Sequence, residues 1–185
     1  YQPKDIVSGD FYWFERIGTK LYFTAADCTG HGVPGAMVSV VCSNALTKAV
    51  RELGLEKPHE ILDKVSEIIE ANFENADEDI ADGMDLALCC LDLETKMLSF
   101  SGANNPLYII RKGEKENSAL IENGYSLLEL KADIQPIGKY FDRKPFVQSE
   151  VQMQSDDVIY SFSDGFADQF GGPKGKKYKY KPFKK

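Results

Sequence analysis

Hydrophobic and polar positions change rhythm along the chain, and each change predicts an element. Residues 6–17 and 20–26 alternate and are rich in aromatics, with Gly18-Thr19 between them. That pattern predicts two antiparallel strands joined by a tight turn. Residues 35–53 then place Met37, Val38, Val41, Ala45, Leu46, Ala49 and Leu53 at helical spacing. Pro58 opens a second helix, where its missing N–H is harmless, and Ile61, Leu62, Val65, Ile68, Ile69 and Phe73 give that helix an apolar stripe. The acidic stretch 74–82 reads as a loop. From Met84 onward the period shortens, and strands are predicted at 86–93, 97–101, 107–111, 119–122, 126–130, 144–153 and 158–162. Residues 93–96 and 112–114 have turn composition.

Two strands, two helices and then a run of antiparallel strands predict an α+β domain. Runs as apolar as 87–91 and 158–162 call for burial on both faces. The expected architecture is therefore two packed antiparallel β-sheets flanked by α-helices, an αββα sandwich. A length of 185 residues suits one domain, 1–185, with a substantial core. No repeat, low-complexity tract or linker divides it. No apolar run approaches the roughly 18 residues of a membrane span, so no direct membrane insertion is expected. The opening Tyr-Gln-Pro-Lys-Asp has neither an initiator methionine nor a signal-peptide pattern, which predicts a piece excised from a longer protein.

Cysteine and charge refine this picture. Cys28, Cys42, Cys89 and Cys90 form no CxxC pair, and Cys89 and Cys90 point to opposite faces of one predicted strand. Free thiols in a reducing compartment, hence a cytoplasmic location, fit better than a disulfide framework. The last twelve residues hold seven lysines and no acid. Removing those seven charges from the net −7 leaves −14 on the remainder. The basic end reads either as a solvated surface segment or as a site for an acidic partner. Nucleic acid is not expected as a partner, because the acidic body offers nothing to neutralise phosphates along a groove.

Three acids occupy similar settings at predicted strand ends. They are Asp10 in SGDFYWF, Asp27 in ADCTGHGVPGAM and Asp164 in IYSFSDGF. Converging carboxylates raise the pKa of at least one unless a cation compensates. One reading has them share hard divalent ions such as Mg²⁺ or Mn²⁺, which prefer oxygen ligands. The other makes each an independent turn or cap residue, as Asp commonly is beside Gly. Spacing alone leaves these two level. No His-x-x-x-His or cysteine cluster offers a zinc site. Residues 30–35 match GxGxxG after a strand and before a helix, but a second helix follows where a βαβ unit needs a parallel strand, and Asp27 would repel a pyrophosphate unless a metal intervened.

The segments SGDFYWF, AADCTGHGVPGAM, SGANNPLYIIR, QPIGKY and YSFSDGFADQFGG occur in order over nearly the whole chain. Together they resemble the metal-dependent serine/threonine protein phosphatases (PPM), in the SpoIIE-like bacterial branch. The resemblance implies two antiparallel sheets flanked by helices around a centre of two ions, Mn²⁺ or Mg²⁺. Asp10 matches the acid of the first motif, Asp27 the acid that bridges both ions, and Asp164 the acid of Ser-Asp-Gly. Cys28 stands where glycine is commoner and would offer its backbone carbonyl, with the thiol turned away. Asp168 is a candidate behind the ligands or a surface acid. His31 is a candidate proton donor to the leaving oxygen or a residue that shapes its loop. Lys4 is a phosphate contact or a solvated lysine.

The resemblance also implies what this chain would do and what it lacks. A water activated between two ions would attack phosphorus in line, with no covalent intermediate. The substrate would be phosphoserine or phosphothreonine on a regulatory protein, such as an anti-sigma-factor antagonist, with a sensor domain upstream in the parent chain. The rival reading is a catalytically silent phosphatase-like binding or sensor-output module. The family pattern ends on a further strand with an acidic pair, and no acid follows Asp168 here. One metal site is therefore expected to be incomplete, and an open sheet edge would favour pairing, possible in a homodimer. Ala103-Asn104-Asn105 stands where some relatives carry an acid for a third ion, so no third site is expected.

Overall fold

The computed structural model describes residues 6–73, 83–116, 118–171, 173 and 175–184. Lys4 and the predicted acidic loop 74–82 lie outside the described residues. The first hairpin joins β1 (Phe11–Ile17) to β2 (Lys20–Cys28), and Ile17 pairs with Lys20 across a turn in which Gly18 has φ +60°. α1 (Gly32–Thr47) runs into a π-helical turn at Lys48–Glu52, and α2 (Pro58–Phe73) follows. Gly54, at φ +67°, adopts the left-handed conformation that lets the chain leave the first helix.

Eight strands come next: β3 (Gly83–Asp92), β4 (Met97–Ala103), β5 (Leu107–Lys112), β6 (Leu120–Glu122), β7 (Tyr125–Leu130), β8 (Ile137–Gly138), β9 (Ser149–Gln152) and β10 (Val158–Tyr160). The larger sheet has the order β1-β2-β3-β4-β9, with β8 also on β3, and the second has the order β10-β5-β7-β6. Every ladder is antiparallel. A hairpin of β11 (Phe170–Gly171) and β12 (Lys176–Lys177) and the single turn α3 (Tyr180–Phe183) complete the described chain.

β3 shows why the pattern there is so apolar. Leu86, Leu88 and Cys90 face α1 and α2, in a core with Trp13, Tyr22, Leu46 and Ile61. Ala87 and Cys89 face the second sheet and meet Leu98, Phe100, Leu107 and Ile109. The strand is thus the shared wall of two dry layers. α2 buries Ile61, Leu62, Val65 and Ile69 completely, at about 1.5–3 kcal/mol each. The outer helical layer is thinner than the sandwich pattern suggested. Among the described residues only α3 covers the second sheet, with Phe183 6.0 Å from Tyr108.

Several boundaries differ from the predicted ones for local reasons. Residues 6–10 are not strand, because the Asp10 N–H donates to Ser8 Oγ at 3.0 Å and Gly9 is wedged against Cys28 and Gly30 carbonyls. The helix starts at Gly32 rather than 35. β8 was not predicted, since a two-residue strand has no period; it packs so tightly that a Cβ on Gly83 would sit 2.0 Å from the Ile137 carbonyl. Gly32–Glu52 is long and apolar enough to cross a membrane by those two measures, with mean hydropathy 1.3. A core helix passes the same test, and Val38, Cys42, Ala45, Leu46, Ala49 and Val50 are buried here. The expected absence of such a segment was read from uninterrupted apolar runs, which Ser39, Ser43 and Asn44 break up. All four cysteines are free and buried.

Candidate metal centre

Three separate parts of the chain deliver the three strand-end acids to one place. Asp10 lies just before β1, and Asp27 is the penultimate residue of β2. Asp164 lies in the turn after β10, which is tied to the first sheet at two points. Ala25 N–H donates to Ser161 Oγ at 3.0 Å, and Ser163 Oγ donates to Asp10 Oδ2 at 3.0 Å. Asp27 lies close enough to Asp10 and Asp164 for both to raise its pKa.

The glycines of the central motif have a steric role. A Cβ on Gly35 would lie 2.6 Å from the Gly30 carbonyl oxygen, and one on Gly9 would lie 2.9 Å from the Cys28 and Gly30 oxygens. Gly30 and Gly32 have φ +89° and +62°. The motif therefore folds three backbones against one another beside Asp27. The helix that follows it leads into α2 and not into a second parallel strand, so the βαβ unit of a dinucleotide fold is missing.

The electrostatics are those of a site short of positive charge. Burial, then Asp10 and Asp164, push the Asp27 carboxyl up to about 8. Asp164 is also raised, by burial first and by Asp168 and Asp10, while its hydrogen bond with Asp27 works the other way. Burial and crowding thus push both carboxyls upward together. Asp168 reaches Asp164 through a single turn, its N–H donating to the Asp164 carbonyl at 2.9 Å, and its carboxylate pairs with Lys177 Nζ at 2.6 Å.

The remaining predicted residues fall as follows. The Cys28 thiol is buried in the helix-side core, and contact with Cys42, then burial, holds its pKa far above the ordinary thiol range. Its backbone oxygen faces the Asp10 loop instead, as the close approach to Gly9 shows. His31 is the exposed residue that precedes α1 and makes no side-chain cap to it.

One acid escaped the sequence reading. Asp85 on β3 is the cross-strand partner of Asp27. Burial raises its pKa, against the hydrogen bond from Asn104 Nδ2 at 2.8 Å, and Asp164 adds to the rise. Its signal was an acid inside the apolar run GMDLALCC, legible only once β3 is registered on β2. So the Ala103-Asn104-Asn105 region does face a carboxylate, supplied by another strand. A cavity of about 410 Å³ opens there, between Asp27, Asp85, Asn104, Lys139 and Tyr140.

The carboxylates of Asp10, Asp27 and Asp164 and the Cys28 backbone carbonyl are oxygen donors, a set suited to hard ions such as Mg²⁺ or Mn²⁺. Among the described residues no three His, Cys, Asp or Glu side chains already stand as a ligand set.

The sequence profile of Stage II sporulation protein E (SpoIIE) matches residues 18–183. The phosphoserine phosphatase RsbU of Bacillus subtilis is 25% identical over 163 residues, 88% of this chain and 44% of RsbU. The SiaA-PP2C domain of Pseudomonas aeruginosa superposes with a TM-score of 0.81 at 29% identity, covering 98% of this chain and 65% of that one. The PP2C phosphatase domain of SpoIIE from Bacillus subtilis superposes with a TM-score of 0.66 at 21% identity, over 88% of this chain and 42% of that one, and so shares the fold. This chain thus spans less than two thirds of each. With the profile covering most of its length and a PP2C fold around the acid cluster, the chain belongs to the SpoIIE family of PP2C-type phosphatase domains.

Proposed function

We propose that the chain is the catalytic domain of a metal-dependent phosphatase that hydrolyses phosphoserine or phosphothreonine on a regulatory protein in bacterial signalling. The observation that carries this reading is the convergence of Asp10, Asp27 and Asp164 from three elements, where burial and the other two acids push the Asp27 carboxyl up to about 8. RsbU, a phosphoserine phosphatase, supports the substrate class. An anti-sigma-factor antagonist as the substrate, an upstream sensor domain in the parent chain and a cytoplasmic location belong to the same proposal.

Asp10, Asp27, Asp164 and the Cys28 carbonyl would hold the ions. Bound there, two Mn²⁺ or Mg²⁺ ions supply an activated water and offset charge on the phosphoryl oxygens. The chain's own groups do the rest. Asp27 would hold an ion in its ionised form, so metal binding would be linked to its proton loss to solvent. Ser163 fixes Asp10 through the 3.0 Å hydrogen bond, so that carboxylate is oriented before any ligand arrives. His31, exposed at the start of α1, is the candidate to protonate the leaving oxygen.

That no three His, Cys, Asp or Glu side chains stand as a ligand set among the described residues favours a second reading, a silent phosphatase-like module. Hydrolysis of para-nitrophenyl phosphate by the full-length protein, with and without Mn²⁺, separates the two. The enzyme reading expects Mn²⁺-dependent turnover and a loss in Asp27→Asn on the order of 10³-fold, or about 4 kcal/mol of transition-state stabilisation. Equal silence of both proteins would leave only the module.

A further inference from the structure

The lysine-rich end is not a loose tail. Tyr178 N–H donates to the Gln169 carbonyl at 2.8 Å and Lys179 N–H to that of Ala167 at 2.6 Å, so the segment after β12 is stitched to the turn that carries Asp164. Phe166 meets Tyr178 edge-on at 5.4 Å, and Phe183 packs on Phe162 at 5.0 Å. Lys177 pairs with Asp168, which in turn touches Asp164. Tyr180 lies close enough to Asp164, Asp168 and Asp27 for their charges to add to the effect of burial on its hydroxyl.

The lysines on this scaffold divide into two sets. Lys177 and Lys184 are paired, the latter with Glu129 at 2.7 Å. Lys176, Lys179 and Lys181 are exposed and make no ion pair among the described residues. The rest of the chain carries −14 once the seven terminal lysines are set aside. In so acidic a body, a fixed group of cations beside the carboxyl cluster makes a local positive field next to a negative one. At physiological salt such a field reaches about 8 Å, so it acts on groups that dock at this rim.

We propose that Lys176, Lys179 and Lys181 form a docking rim for the phosphorylated, acidic segment of a partner protein. The rim would present the phosphate ester to Asp10, Asp27 and Asp164. This rests on the phosphatase reading. A phosphoserine carries about −1.5 to −2 charges at neutral pH and, with acidic neighbours, complements three cations. Charge complementarity of this kind sets orientation and association rate. It also explains why lysines suit this position: the partner must be received and then released.

The test uses the full-length protein with Asp27→Asn to halt turnover, and a fluorescein-labelled peptide, Glu-Asp-phosphoserine-Glu-Asp. Binding is read by anisotropy across a salt series. Charge reversal, Lys176→Glu with Lys179→Glu and Lys181→Glu, should weaken binding at least about tenfold and flatten its salt dependence. The neutral triple Gln variant should lose less, and the triple Arg variant should bind as the parent does. Because Gln and Arg variants keep the scaffold, a misfolded Glu variant does not hide the answer. Unchanged affinity in a folded Gln or Glu triple overturns the proposal. So does equal binding of the unphosphorylated peptide, or tighter binding of an RNA oligonucleotide. Para-nitrophenyl phosphate hydrolysis by the wild type tests the phosphatase reading alone. Silence there with rim-dependent peptide binding would overturn the enzyme and keep the rim.

Discussion

Asp157 and Asp27 are both shielded from water in part, and the chain treats them in opposite ways. Asp157, whose side chain is 1% exposed, meets Arg111 in a bidentate pair at 2.8 and 2.6 Å. Arg111 spends its second terminal bond on the Gln152 carbonyl at 2.9 Å, and Gln154 N–H donates to Asp157 at 2.8 Å. Burial raises the Asp157 pKa, but Arg111 and the backbone outweigh it, and the net shift is downward. Among the described residues Asp27 makes no ion pair; burial, Asp10 and Asp164 push it up to about 8. The first site is complete as folded and clamps β5 to the β9–β10 turn. The second gathers acids around a raised carboxyl, the pattern expected of a site for a ligand rather than of a structural ion pair.

The largest effect should come from breaking the finished site. Arg111→Ala leaves Asp157 buried without a partner and should cost about 3–5 kcal/mol in urea unfolding. Adding Asp157→Leu to Arg111→Met should recover much of that loss, because the desolvated charge goes too. If Arg111→Ala unfolds like the wild type, Asp157 is being satisfied by backbone alone, and the contrast with Asp27 weakens.

The pH dependence of the two sites should run in opposite directions. The folded pKa of Asp157 is depressed, so its contribution is present above the unfolded value of about 4 and is lost as pH falls through the folded one. The folded pKa of Asp27 is raised, so without divalent ions its stability is fully present below about 4 and is lost as pH rises through about 8. Metal-free protein should therefore lose roughly 1–2 kcal/mol between mildly acidic and alkaline pH, a figure already discounted for solvent access. Asp27→Asn should abolish that loss, and millimolar Mn²⁺ should reverse it in the wild type. A flat thermal-unfolding profile in the metal-free wild type would mean that the acids do not crowd one another in solution.

The same contrast explains how far the sequence could be read. Long periodic segments were legible because one physical rule governs each. The stripe of α2 from Ile61 to Phe73 needs one apolar face, and β3 needs two. The strand-end setting of Asp10, Asp27 and Asp164 was visible as acid beside glycine, and the ordered motifs said what such acids are for. Pieces fixed by tertiary contact were not legible. β8 exists because Gly83 lets Ile137 approach, and β11 and β12 are two residues each. Asp157 gave no sign of its partner, 46 residues away at Arg111. The basic end looked like a charge run until its backbone bonds to Ala167 and Gln169 placed it beside Asp164.

The smallest predicted effect sharpens the boundary of the open site. Asp85 pairs across the strands with Asp27 and is steadied by the Asn104 amide, so it stands between the two cases. Its single hydrogen bond lowers the pKa, yet burial and Asp164 win and the net shift is upward. Asp85→Asn keeps the shape and removes a charge from the wall of the cavity shared with Asp27. If that charge helps to hold a divalent ion, calorimetry should show Mn²⁺ affinity falling about tenfold, the low end for a group one step behind the ligands. The metal-free variant should unfold at a slightly higher temperature than the wild type, since one crowded charge is gone. Unchanged Mn²⁺ affinity would instead class Asp85 with Asp157, as a strand acid whose needs Asn104 already meets.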